Sequence, residues 1–140
     1  MEEDDELDLF IEAQDTVWDD VLTELKAGRK TSHWMWFVFP QLASLGQSDM
    51  AQLYGIDGIE EATAYLAHPV LAGRLAEVSQ LLLTHTDKSA AQILGDVDAK
   101  KLCSSMTLFS NVPSADPVFA QVLAQFCDAP CQKTLDEIAA

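Results

Sequence analysis

Basic residues are scarce in this 140-residue chain: eight Lys and Arg stand against 23 Asp and Glu, for a formal net charge of −15. Self-repulsion and repulsion from phosphate backbones both act against DNA or RNA as a partner, so no nucleic-acid binding is expected. Long apolar runs are missing too. The longest, Trp34 to Phe39, has six residues, where a membrane-spanning helix needs about 20, and no membrane partner is expected. The opening "MEEDDELDLF" lacks the basic start and apolar stretch of a secretory signal, which points to a cytoplasmic protein. Cysteines number three, too few and of the wrong parity for a disulfide framework, so reduced thiols are expected. Cys127 and Cys131 flank Pro130 with no His or Cys after them. A zinc or redox pair there is a weaker reading than small buried apolar side chains. Gly-rich phosphate loops, paired-His metal signatures and nucleophile elbows are all absent, and no metal or cofactor is expected.

What remains is an ordinary globular composition, 49% hydrophobic and 22% charged, in a chain long enough for one buried core. Charge is unevenly spread. Residues 1–24 hold eleven Asp or Glu and no basic residue, and residues 25–140 hold twelve acidic and eight basic. Solvation is the simplest use of the acidic head; capture of a basic protein partner is the other. Residues 1–6 are expected to form a mobile acidic segment ahead of a single domain over 7–140.

Apolar residues recur at helical steps. Leu7, Phe10, Ile11, Val17, Trp18, Val21, Leu22 and Leu25 trace one face, closed by Gly28, with a break expected near "QDT" where Asp15 could cap a second helix. Ser48 is placed to cap Asp49–Tyr54, and 60–67 reads as a further helix. Pro69 at a first helical position opens a helix to about His85, with Leu71, Leu75, Val78, Leu81 and Leu82 as its buried stripe. Ser89–Leu94 ends at Gly95, Asp96 is expected to cap "VDAKKLCSSMTLF", and Asp116–Pro117 and "QKTLDEIAA" mark the last two. Strand-type alternation is nearly absent. The expectation is an all-α, single compact domain of seven to nine short-to-medium helices, monomeric. "WMWFVF" fits either a buried strand or two helical turns capped by Ser32 and stopped by Pro40.

Two stretches concentrate chemistry. In "GRKTSHWMW", Arg29 and Lys30 precede a helix start whose free N–H groups attract anions. Ser32 adds a hydroxyl, and His33 a group that titrates near neutral pH. Trp34 and Trp36 point to different sides of a helix, so only one can face a shared pocket, and Gln41 follows Pro40. In "DAKKLCSSMTLF", Lys101, Ser104 and Ser105 share a helical face, with Lys100 beside them and Thr107 beyond. Hydroxyls in an apolar helix need partners, whether carbonyls one turn back or a ligand. Both stretches also fit a plain core reading.

"GRKTSHWMWFVFPQ", "AYLAHPVLAGRL" and "KKLCSSMTLF" together resemble a bacterial family known as domain of unknown function 1810, over about Leu7 to Ile138. The resemblance implies a mainly helical single domain and carries no established activity. Its signature falls on Gly28, Lys30, Ser32, His33, Trp34, Trp36, Phe39, Pro40 and Gln41, on Tyr65, His68, Pro69 and Leu71, and on Lys101, Ser104, Ser105, Met106, Thr107 and Phe109. Relatives commonly place a basic residue where this chain has Cys103.

These readings combine into one expectation: a polar pocket for a small anionic or nucleotide-like ligand. Arg29, Lys30 and Lys101 would meet its charge, Trp34 or Trp36 would stack, and Ser32, Gln41, Ser104, Ser105 and Thr107 would orient it. Any acid/base chemistry would run through His33. The alternative is a non-catalytic interaction module using the acidic surface. Convergence of His33, Lys30 and Ser104 on one concavity would separate the two.

Overall fold

Why residues 2–27 form one helix rather than two is answered by Gln14. In the computed structural model, which describes residues 2–46 and 48–139 and side chains from Leu7 onward, α1 runs unbroken over Glu2–Ala27. The expected break near Asp15 is therefore corrected. Gln14 occupies the buried stripe between Phe10 and Val21, and its amide donates to the Phe37 carbonyl at 2.7 Å and to the Tyr65 hydroxyl at 3.2 Å. A polar residue thus continues the apolar face because its hydrogen bonds are met inside the core. Asp15 does not cap; it pairs with Arg74 at 2.6 Å. The acidic opening, expected to be a segment apart, falls on Met1 and on side chains outside the described residues.

After Gly28, whose φ of 75° suits the residue past a helix end, come α2 (Met35–Val38), a 3-10 turn (Ala43–Leu45) and α3 (Asp49–Leu53). "WMWFVF" is helical but only for one turn. Ser32 is not its cap, since Trp34 holds that position without a side-chain bond. Ser48 does cap α3, accepting from the Ala51 amide at 3.1 Å. A lone parallel bridge between Leu42 and Ile56 ties the two ends of this segment together. Gly46 packs against Ala51 with no space for a Cβ.

The remaining helices are α4 (Ile59–Ala67), α5 (Pro69–Leu83), α6 (Ala90–Leu94), α7 (Asp96–Ser110), α8 (Val118–Phe126) and α9 (Gln132–Ala139). Among the described residues there are nine α-helices and no strand, in a single compact all-α domain. Local chemistry explains most boundaries. Pro69 opens α5 with His68 accepting from Val70, and Ser89 and Gln92 form a reciprocal capping box on α6. Gly95, with φ of 91°, separates α6 from α7 and takes the capping position expected of Asp96, which is itself helical. Helix α7 is the centre of the fold. Leu102 and Ser104 to Phe109 are all buried, and α7 packs against α4, α6, α8 and α9. Helix α5 packs against α1, α4 and α8.

Cys103 in α7 and Cys127 after α8 form a disulfide, which corrects the expectation of three reduced thiols; Cys131 alone stays free. No helix among the described residues is long and apolar enough to cross a membrane.

Candidate functional site

The polar fringe ahead of α2 is organised by one carboxylate. Glu24, in the last turns of α1 and 7% exposed, accepts from the Thr31 amide (2.7 Å), the Ser32 amide (2.9 Å) and hydroxyl (2.7 Å), and the Trp34 indole (3.0 Å). Burial pushes this carboxyl up, but the bonds from Thr31, Ser32 and Trp34 outweigh it and hold Glu24 below its ordinary value. Ser32 and Trp34, expected to meet a ligand, are instead spent on Glu24. Trp34 is fully buried and cannot stack on anything from solvent.

Lys30 is equally occupied. Its amide donates to the Ile93 carbonyl at 2.7 Å, and its ammonium, almost out of water, lies 2.9 Å from one oxygen of Asp98. The other Asp98 oxygen meets Lys101 at 3.4 Å. Lys30 lies over the Trp34 ring at 5.1 Å and Lys101 over the Trp36 ring at 5.2 Å. The two chemistry-rich stretches are therefore joined, through Asp98 between Lys30 and Lys101 and through Lys101 over Trp36. The side chains of Arg29 and His33 are exposed, with no ion pair or hydrogen bond among the described residues.

Lys101 also lines a groove of about 570 Å³. Val97, Lys100, Lys101 and Ser104, spaced by three and four residues, form one wall from α7. The 3-10 turn and α3 form another through Ser44, Gly46 and Ser48, and Cys131 and Lys133 close it at the start of α9. Gln41 contributes from the segment after Pro40 and also lines a narrow adjoining cleft with Trp36 and Lys101. The groove thus gathers three of the chain's eight basic residues. Lys100 and Lys133 have no ion-pair partner among the described residues.

Of the expected site residues, Gln41, Lys101 and Ser104 line this groove and Trp36 borders it, whereas Arg29, Lys30, Ser32, His33 and Trp34 do not. The expected convergence of His33, Lys30 and Ser104 is corrected accordingly. Ser105 and Thr107 face the core side of α7 and are fully buried. Thr107 donates to the Cys103 carbonyl at 2.7 Å and accepts from the Cys131 amide at 2.9 Å, while the Ser105 hydroxyl has no partner. Lys133, Ser44, Ser48 and Cys131 were not expected in a site. The α7 face was readable from its spacing, but the wall from α9 depends on how that helix folds back. A second concavity, about 350 Å³ between α4, α5 and the turn after α7, is lined mainly by Leu66, Ala76, Val112 and Phe119, with Asp116 its one charge. It offers no cation to an anionic ligand.

Comparison with known proteins matches residues 4–138 to a family model described as "Protein of unknown function (DUF1810)". Among solved structures, the conserved hypothetical protein Rv1873 from Mycobacterium tuberculosis is 44% identical, with 96% of each chain covered and a TM-score of 0.93. No curated protein matches the chain.

Proposed function

The chain belongs to this family of proteins of unknown function, and from that premise we propose that its lysine-lined groove binds a small anionic ligand. The observation that carries the reading is the gathering of Lys100, Lys101 and Lys133 around one concavity in a chain with net charge −15. Keeping like charges together costs free energy unless something negative is there to meet them. Of the three lysines only Lys101 meets a carboxylate among the described residues, that of Asp98, which it shares with Lys30. Gln41 adds an amide on the same walls to orient a phosphate or carboxylate once the lysines attract it. The hydroxyls there are engaged within the protein, Ser44 donating to Glu137, Ser104 to the Lys100 carbonyl and Ser48 capping α3. The acidic remainder of the molecule repels anions at long range, so recognition is local and weakens as salt rises.

His33 lies outside the groove, so the reading assigns it no acid/base role. The test is thermal denaturation of the full chain with inorganic phosphate, sugar phosphates, nucleotides and dinucleotides in turn. A ligand at a hundredfold excess over its Kd should stabilise by about 2.7 kcal/mol, a shift of several degrees. The shift should vanish in Lys100→Gln/Lys133→Gln. No stabilisation by any of these anions in a protein that melts cooperatively, or an undiminished shift in the double variant, would sink the reading.

A further inference from the structure

The groove contains a thiol whose surroundings suit a thiolate better than a neutral S–H group. Cys131 immediately precedes α9, an eight-residue helix, and its carbonyl accepts from the Leu135 amide at 3.1 Å. The sulfur is therefore set against the free N–H groups of the first turn, and the amides of Lys133 and Thr134 both point to it. The Ser104 hydroxyl lies 3.1 Å from the Lys100 carbonyl and 3.4 Å from the sulfur, and shares its one proton between these two acceptors. Thr134 supplies an independent sign. Its side chain is fully buried, its hydroxyl has no aligned hydrogen-bond partner, and the polar atom it faces is the Cys131 sulfur. A neutral thiol is a weak acceptor and leaves such a hydroxyl poorly satisfied; a thiolate accepts it fully.

Burial pushes the Cys131 thiol up, but the Ser104 and Thr134 hydroxyls and the two amides outweigh it and leave it below the ordinary thiol range. Cys131 is partly exposed and lines the groove with Lys100, Lys101 and Lys133. Its backbone is fixed by Thr107, which accepts from the Cys131 amide at 2.9 Å. The other two cysteines are already bonded to each other, so Cys131 has no thiol partner within the chain.

We propose that Cys131 is a nucleophilic thiolate that forms a mixed disulfide with a small, carboxylate-bearing disulfide seated in the lysine groove. The carboxylate preference rests on the anion-binding reading above; the nucleophilicity rests on the donors around the sulfur. The Cys131 sulfur attacks one sulfur of the incoming disulfide, and the incoming S–S bond breaks. The displaced half leaves as a thiolate with the bonding electron pair and takes a proton from water. Cys131 is oxidised, the displaced half is reduced, and the incoming disulfide is the oxidant. Lys100 and Lys133 hold the carboxylates while the sulfurs align.

The experiment uses the full chain with oxidised glutathione and, separately, with neutral hydroxyethyl disulfide, followed by intact mass and peptide mapping. One adduct on Cys131 is expected with each, formed about tenfold faster with the anionic disulfide at low salt. The difference should collapse in Lys100→Gln/Lys133→Gln, and Cys131→Ser should form no adduct. Thr134→Val should slow both reactions and move the pH profile of iodoacetamide alkylation to higher pH. No adduct on a Cys131 that alkylates readily once the protein is denatured overturns the proposal, as does modification confined to Cys103 or Cys127. Equal rates with both disulfides, unmoved by the lysine substitutions, overturn the carboxylate preference. Phosphate titration of Cys131→Ser reads the groove alone, so a groove that binds anions around an inert thiol is told apart from a reactive thiol in a groove that binds none.

Discussion

At the scale of single residues, the contrast between Glu24 and His33 separates what holds the molecule from what is free to act. Both lie in or beside the same signature stretch. Glu24 collects four hydrogen bonds from Thr31, Ser32 and Trp34; His33 makes none with its ring among the described residues. Glu24→Gln keeps the shape but turns an NH2 toward donors that need an acceptor, and should cost about 2 kcal/mol of stability. Because the folded-state value of Glu24 is depressed, its contribution is fully present above the unfolded carboxylate value and is lost as pH falls through the folded one. Urea denaturation of wild type and Glu24→Gln should therefore converge at acid pH and separate toward neutrality; a gap that is constant with pH would show that the charge plays no part. His33→Ala should leave the midpoint within about 0.5 kcal/mol of wild type, as for an exposed side chain away from any network.

At the scale of elements, periodicity made most of the fold readable, and its failures share a cause. The stripe Leu7, Phe10, Val21 and Leu25 is buried as its spacing requires, but Gln14 interrupts it chemically without interrupting it geometrically. Its partners, Phe37 and Tyr65, are 23 and 51 residues away, and no local rule supplies them. Ser32 fails as a cap for the same reason: Glu24, eight residues earlier, claims it. The site was half readable. Lys101 and Ser104 are on the expected face of α7, whereas Lys133 joins them only because α9 packs back onto α7. Lys30 looked like a ligand-binding cation and is a strut between α7 and the segment ahead of α2. Lys30→Met would leave the partly exposed Asp98 with Lys101 alone and should cost about 2 kcal/mol, less than breaking a fully buried pair. Combining it with Asp98→Asn should cost less than the two changes added, by about 1 kcal/mol, because the same pair is broken twice. Strict additivity in chemical denaturation would mean that the two charges do not interact.

At the scale of the whole molecule, the groove depends on how the C-terminal helices are fastened to α7. Helix α9 is held by the Thr107–Cys131 contact, by buried Thr134 and by Glu137, which accepts from Ser44 at 2.5 Å. The covalent fastening comes just before it: Cys103–Cys127 spans 24 residues and fixes the end of α8 to the middle of α7. Loop-closure entropy for that span is about 3 kcal/mol, a large share of the stability of a domain this size. A reductant should therefore lower the melting temperature of Cys131→Ser, a background that removes thiol exchange, by several degrees. Cys103→Ser/Cys127→Ser/Cys131→Ser should melt near the reduced value and ignore the reductant. The loosening should also be regional. Amide hydrogen exchange should quicken over residues 118–139 well before it changes in α1, which packs mainly on α2 and α5. Faster exchange would reach Lys133 and Cys131, so reduction should weaken anion binding along with stability. If reduction lowered the melting temperature while anion affinity stayed constant, the groove would be organised by α7 and the 3-10 turn alone, and α9 would be a passenger on it.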